Sequence, residues 1–366
     1  MESINFNNLN KTPVRTKNWL NINDVSLGEL NIGEIKEFNN IGFTANIKGV
    51  SIQKIENKSL SPLYKEFVYG VSEDLIKQCQ KDFNAGYLIT IEKNSNIDEP
   101  IIIDFGFNND YSTLVDNIIV VGEENSKASI IIKYRSLDDS KGYHNGMSTI
   151  YSKKNSNIKL IKLNLLNDNS IHIDSNTADI EESGKAHFIN IDLGGQYRVY
   201  NYHSDLKSEN SSSNIDSIYL GSKNSLIDIN YVATLRGIAS KANINVKGAL
   251  QDKAKKSFKG TLDFKKGASK SVGVEDEYCM LLSKYAKAKA MPVLLCSEDD
   301  VSGEHSASSG KIDENKLFYL MSRGLTYEEA KIVIVRAAFN PIIDAIDDEN
   351  TINEILEQLD RGLKNE

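Results

Sequence analysis

From Tyr87 to about Leu295 the apolar residues recur in short runs: YLITI, IIIDF, NIIVV, SIIIKY, IKLIKL, SIHID, HFINIDL, DINYV and NINVKG, each broken off by Asn, Ser, Asp or Gly. Runs of this length with polar punctuation predict strands, and no long amphipathic helix interrupts them before the Ala/Lys stretch near Lys284. The prolines, Pro13, Pro62, Pro100, Pro292 and Pro341, all lie outside residues 101–291. Proline removes a ladder donor, and sandwiches or barrels usually carry some at edges and turns. Its absence therefore favours stacked strands whose N–H groups are nearly all in use, a parallel β-helix. No strict repeat period is visible, and the residues alone support an all-β chain, stacked or sandwiched. In a stack each coil hides its apolar face only against its neighbours, so the segments before and after are expected to cap its ends.

Those flanks have a different texture. Residues 1–85 read as a mixed cap containing one helix, with Ser72 as N-cap and Leu75, Ile76 and Cys79 at helical spacing up to Asp82. Residues 86–313 form the β core. Residues 314–366 read as a helical domain whose first helix is capped by Asp313, buries Leu317, Phe318, Leu320 and Met321, and ends at Gly324. Thr326-x-x-Glu329 is a capping box for a second helix that stops at Asn340-Pro341. Thr351-x-x-Glu354 opens a third, with Ile352, Ile355, Leu356 and Leu359 as one stripe and Gly362 as its end. That amphipathic helix either docks on its own domain or faces a partner.

Charge and cysteine usage narrow the function. Forty-three basic and fifty-one acidic side chains give a net charge of -8 and a pI near 5.4, which disfavours nucleic acid and anionic lipid. With no apolar leader in MESINFNNLNKTPVR and no window of about 18 apolar residues, the expected location is cytoplasmic. Cys79, Cys279 and Cys296 lie far apart with no C-x-x-C pair, so neither a disulfide framework nor a self-contained cluster or zinc site is expected. Cys79 and Cys296 read as core residues. The span KGALQDKAKKSFKG is basic without interleaved aromatics and reads as a solvated face. No G-x-x-x-x-G-K-[ST] loop is present, so P-loop binding of ATP is not expected.

The stretch MPVLLCSEDDVSGEHSASSGKIDENKLFYLMSRGL, Met291 to Leu325, closes the β region and opens the helical one. Its Pro292, Asp299-Asp300-Val301, His305, Ala307, Gly310, Ile312-Asp313, Leu317-Phe318-Tyr319-Leu320 and Ser322-Arg323-Gly324-Leu325 resemble the core domain of the SufB/SufD family, subunits of the SUF iron-sulfur cluster assembly machine. A weaker likeness lies in Thr12-Pro13-Val14-Arg15 and Asn18-Trp19-Leu20. The resemblance implies a right-handed parallel β-helix core with a mixed N-terminal cap and a C-terminal α-helical domain. It also implies a non-catalytic scaffold of a SufB-SufC-SufD type complex, nearer to SufD because cysteines are few and Ser306 stands where SufB relatives carry a glutamate. Implied partners are a SufB-like paralogue, or a second copy of the chain, and a SufC-like ABC-type ATPase docked on the terminal helices.

The site residues rest on the same likeness. A histidine at the place of His305 is implied as a metal ligand that helps build a transient iron-sulfur cluster, or its iron and sulfide precursors, shared with the partner. No stable cofactor is expected on the isolated chain. Glu304 is a candidate supporting partner for the imidazole, with Glu298, Asp299 and Asp300 crowding the same stretch. Relatives often have a cysteine where this chain has Gly303. Alignment through Leu281-Leu282 and Pro292 brings the sulfur-receiving cysteine of SufB near Glu277. Cys279 shares a strand face with that position and either substitutes for it or is a buried, inert thiol. The alternative from another class is a β-helical carbohydrate-active enzyme using surface carboxylates.

Overall fold

The structure, a computed structural model, describes residues 2–16, 21–44, 47–55 and 70–364. Asn18, Trp19 and Leu20 of the weaker family likeness, and Pro62, fall outside them. The chain begins with β1 (Glu2–Phe6) and β2 (Gly28–Ile32), an antiparallel pair, then β3 (Ile41–Phe43), β4 (Val50–Lys54) and helix α1 (Glu73–Lys81). Ser72 caps α1 through a bond from the Leu75 amide, and Leu75, Ile76 and Cys79 are buried, as the spacing requires.

Sixteen strands follow in sequence. They are β5 (Ala85–Ile91), β6 (Ile101–Phe107), β7 (Thr113–Gly122), β8 (Lys127–Ser136), β9 (Tyr143–Ser152), β10 (Asn157–Leu165), β11 (Ile171–Ile180) and β12 (Lys185–Asp192), then β13 (Tyr197–Leu206), β14 (Ser212–Gly221), β15 (Leu226–Leu235), β16 (Lys241–Leu250), β17 (Lys255–Phe264), β18 (Ser271–Leu281), β19 (Lys287–Cys296) and β20 (Val301–Lys311). Odd strands stack into one parallel sheet and even strands into another, so each of eight coils gives one strand to each sheet: the β-helix expected from the sequence. At the N-terminal end β3 and β4 add to the two sheets in antiparallel sense.

The coils do not repeat strictly. Lys127, Asn157, Lys185, Ser212, Lys241, Val272 and Ser302 stand in one column, so successive coils are 30, 28, 27, 29, 31 and 30 residues long. What recurs is the turn before each even strand from β6 to β18. Asn94, Asn125, Asn155, Ser183, Asn210, Ala239 and Lys270 all hold left-handed backbone there. Asparagine is the commonest choice because its short amide tolerates positive φ. The Asn155 and Asn125 amides donate, at 3.0 Å each, to the side chain of the asparagine one coil earlier. A buried serine follows the left-handed residue in most coils: Ser126, Ser156, Ser211, Ser240 and Ser271.

Apolar residues between the sheets make one continuous core, and the outer faces are covered too. Phe6, Val71, Leu75 and Cys79 lie on Val115, Tyr143 and Ile173 of the odd sheet. Three helices follow β20: α2 (Glu314–Ser322), α3 (Tyr327–Ile343) and α4 (Glu349–Lys364). Val335, Phe339 and Ile342 of α3 and Ile355 and Leu359 of α4 cover Ile161, Leu163, Ile189, Ile191 and Ile218 on the even sheet. Lys133–Glu354 (2.8 Å) and Lys159–Asp347 (2.6 Å) pin them there. The last helices thus dock on their own chain, along the flank of the solenoid rather than over its end.

Three details of the helices differ from the sequence reading. Pro341 lies inside α3, near its C-terminal end, and the helix runs on to Ile343. Asp348, not Thr351, serves the start of α4, accepting from the Thr351 amide at 2.8 Å, and the helix passes through Gly362. Asp313, the Thr326/Glu329 box and the left-handed Gly324 are as read. The stripe of α2, however, is not buried: Leu317 alone is, while Phe318 is 75 % exposed and Tyr319 and Met321 are also open. Among the described residues no helix is long and apolar enough to cross a membrane.

Candidate functional site

With the helices on its flank, the C-terminal end of the solenoid is uncovered. Strands β19 and β20 are the terminal strands of their sheets, and every residue from Ser302 to Ser309 is exposed. Strand alternation still assigns faces. In β18 the inward set is Gly273, Glu275, Glu277 and Cys279, all buried, and these stand in register with Gly303, His305, Ala307 and Ser309. His305 therefore projects on the inner side of the last coil, where a further coil would lie in the middle of the stack.

This geometry revises the surroundings expected for His305. Glu304 is in register with Val274, so strand alternation directs it to the face opposite His305. Glu298 is engaged by the Gly267 amide at 2.8 Å, which holds its carboxyl below the usual range, and Asp300 accepts from Ser269 Oγ at 2.7 Å. Those acids terminate the stack of turns. The strand partner of His305 is Glu275.

Glu275 is 1 % exposed, and neither carboxylate oxygen has a hydrogen-bond partner. Burial first, and then the Glu277 carboxylate beside it, push its pKa up to about 8. Its head lies against Gly260 on the facing strand β17: a Cβ there would sit 2.2 Å from Oε1. Glu277 is differently placed. Its Oε1 accepts from Lys256 Nζ at 2.6 Å and from Tyr219 OH at 3.0 Å, all within the closed interior. Cys279 completes this group; burial raises its thiol pKa, partly opposed by the Lys256 charge and the Tyr219 hydrogen bond. A buried thiol held neutral is a poor nucleophile unless something opens the last coil.

The other sequence candidates divide. Cys79 is buried, with Sγ 3.3 Å from the Asn145 carbonyl. Cys296, read as core, is exposed; it lies in register with the inward Phe264, but no coil follows to cover it. Gly303 also faces inward, since a Cβ on it would meet Leu294 Cδ1 at 2.8 Å. The basic span read as a solvated face contains two wholly buried lysines, Lys256 on Glu277 and Lys259 on Asp228. Sequence reasoning missed Glu275, put Lys256 on a solvated face, and named Glu277 only as the position near which the SufB cysteine aligns. The available signal was the alternation Glu275-x-Glu277-x-Cys279 leading into Leu281. Among the described residues no three His, Cys, Asp or Glu side chains converge as a metal site.

Residues 105–338 match the family model described as SUF system FeS cluster assembly, SufBD core domain. The chain belongs to the SufBD family. Relatives point to the SufD side of it. The chain is 28 % identical to the iron-sulfur cluster assembly protein SufD of Escherichia coli over 241 residues, 66 % of this chain and 57 % of that one. It is 23 % identical to SufD of Bacillus subtilis over 283 residues, 77 % of this chain and 65 % of the relative. A SufBD family protein of Pyrococcus horikoshii is 25 % identical over 276 residues. The chain thus spans less than two thirds of the length of each of these curated relatives. For a SufBD core, the matched segment runs from β6 in the first coil into α3 and includes the whole open end.

Proposed function

We propose that this chain is a SufD-type, non-catalytic scaffold subunit for iron-sulfur cluster assembly, with residues 86–313 as its core and 314–366 as its helical domain. Its open last coil meets a SufB-like paralogue, or a second copy of itself. The observation that carries this reading is the uncovered pair β19 and β20 with His305 on the inner side, at the end of a solenoid whose outer faces carry the N-terminal segment and the helices. An open parallel sheet edge offers unpaired N–H and C=O groups to another strand. One imidazole is an incomplete ligand set, so the nascent cluster, here the cargo, takes its remaining ligands from the partner. Cys279 lies two strand positions beyond Glu277 on the same face and reaches sulfur only if the last coil opens.

Docking of a SufC-type ATPase is assigned to the helices. Phe318, Tyr319 and Met321 of α2 are exposed, and a groove of about 610 Å³ runs between α2, α3 and the sheet, lined by Tyr278, Met280, Tyr319, Val333 and Ala337 among others. Apolar side chains left open beside a groove of this size suit a partner surface.

The test is anaerobic reconstitution of the co-purified complex with ferrous iron and sulfide. His305→Ala should lower the yield of the visible cluster chromophore while leaving complex formation and melting temperature unchanged. Phe318→Asp should release the ATPase and spare the pairing at the open end. Normal cluster yield with His305→Ala would sink the assignment of the histidine.

A further inference from the structure

Glu275 is the group in this molecule whose chemistry the fold leaves unfinished. A buried carboxylate is normally held by hydrogen bonds or a cation, because isolated charge is costly away from water. The other inward acids obey this rule: Asp174 has Lys162 at 2.6 Å, Asp192 has Arg198 at 3.1 Å, and Glu277 has Lys256 at 2.6 Å. Glu275 has none of these, and both its oxygens lack partners. Space has nevertheless been kept for its head, since Gly260 opposite it could carry no side chain without striking the carboxylate. Its neighbour in the outward direction is His305, on the same face of the adjoining parallel strand. Adjacent strands lie about 4.8 Å apart, so side chains in register on one face can share a ligand between them.

We infer that Glu275 is a second protein ligand beside His305 for a divalent first-row transition ion, which the Gly260 cradle and the last coil hold at the open end of the solenoid. The inference rests on the assembly reading only for the identity of that ion as ferrous iron, the cargo. A carboxylate oxygen with an imidazole nitrogen is a donor set suited to such ions, and two protein ligands leave positions free for water or a partner's donor. The iron is thereby received by this chain before sulfide or the partner's ligands arrive. Lys256 supports the arrangement by neutralising Glu277, which would otherwise compete for the ion from two residues away.

The experiment is titration of the purified full chain, without partners, with Co(II) followed by its ligand-field absorption and with anaerobic Fe(II) followed by calorimetry. One equivalent should bind to the wild type. Glu275→Gln, which keeps the shape and replaces a ligating carboxyl oxygen by an amide nitrogen, and His305→Ala should each weaken binding tenfold or more. Glu304→Gln, on the opposite face, should leave it unchanged. Glu275→Asp keeps the carboxyl group but withdraws it by one methylene, and should fall between wild type and Glu275→Gln. The inference is overturned if Glu275→Gln or Glu275→Asp binds like the wild type, or if Glu304→Gln weakens binding as much as Glu275→Gln does. Such a failure leaves the assembly reading standing, because that reading is scored on His305 in the reconstituted complex. Conversely, unimpaired clusters with His305→Ala alongside lost Co(II) binding would strike the assignment of His305 to cluster building and not the ion site.

Discussion

Replacing Lys256 by Met tests the buried group beneath the open end. The side chain is wholly buried, its Nζ is 2.6 Å from Glu277 Oε1 and 3.2 Å from the Lys289 carbonyl, and methionine nearly matches its volume. Packing is therefore conserved and the loss is electrostatic. Removing one partner of a buried pair leaves the other charge uncompensated, at a cost of about 3–5 kcal/mol. A ceiling follows from the escape open to Glu277, which is to take up a proton on folding. Neutralising an ordinary glutamate of pKa ~4.3 at pH 7.5 costs ~4.4 kcal/mol, at ~1.36 kcal/mol per unit. The two estimates agree, and they give the variant a pH dependence. A carboxyl that must be protonated to fold contributes stability that is lost as pH rises, so the deficit of Lys256→Met should shrink by about 1.4 kcal/mol for each unit of acidification from pH 7.5 towards 5. Urea unfolding at three pH values measures this, and the double variant Lys256→Met/Glu277→Gln should recover most of the loss. A deficit below about 1 kcal/mol at pH 7.5, or one that does not change with pH, would refute the reasoning.

Two further outcomes follow from the solenoid wall and its turns. His203, buried on β13 with Nε2 3.0 Å from Thr234 Oγ1, has its pKa lowered from 6.5 to about 3, by burial first and then by the charges of Arg236 and Lys207. A depressed histidine stabilises above its unfolded pKa and loses that contribution as pH falls, so between pH 7.5 and 5 the wild type should lose ~2 kcal/mol that His203→Gln does not; parallel urea profiles would contradict this. Ala239 holds φ 55° in its turn, so Ala239→Gly should raise stability by about 0.5–1 kcal/mol despite the looser unfolded chain, and a fall in melting temperature would count against the turn analysis.

Local features were the legible part of the sequence. Ser72, Asp313 and the Thr326/Glu329 box act within one turn of chain, and each does what its residue type dictates. The missing prolines favoured stacked strands and the family likeness made the stack a β-helix, while its period was hidden because coil length wanders between 27 and 31 residues and the Asn-Ser turn is what recurs. Burial was least legible, for a reason specific to stacks. Lys256 and Cys296 both sit on inward positions, yet Lys256 is enclosed because β19 follows it and Cys296 is open because nothing does. Phe318 carries a core residue's side chain on a helix that lacks a surface to cover it. Of the site, His305 stood out through family likeness alone, and Glu275 became visible only when strand pairing put it alongside.

The antiparallel strands at the N-terminal end decide what kinds of assembly the molecule can enter. A solenoid with two open, parallel ends could add copies head to tail without limit, as fibres do. Here β3 is only three residues long and both β3 and β4 run against the direction of the stack, so that end presents no matching template to β19 and β20 of another molecule. Among the described residues the open parallel edges lie at one end of the stack. Two chains that meet by that end, related by a two-fold or pseudo-two-fold axis, each cover the other's parallel edges, and the stack closes at two.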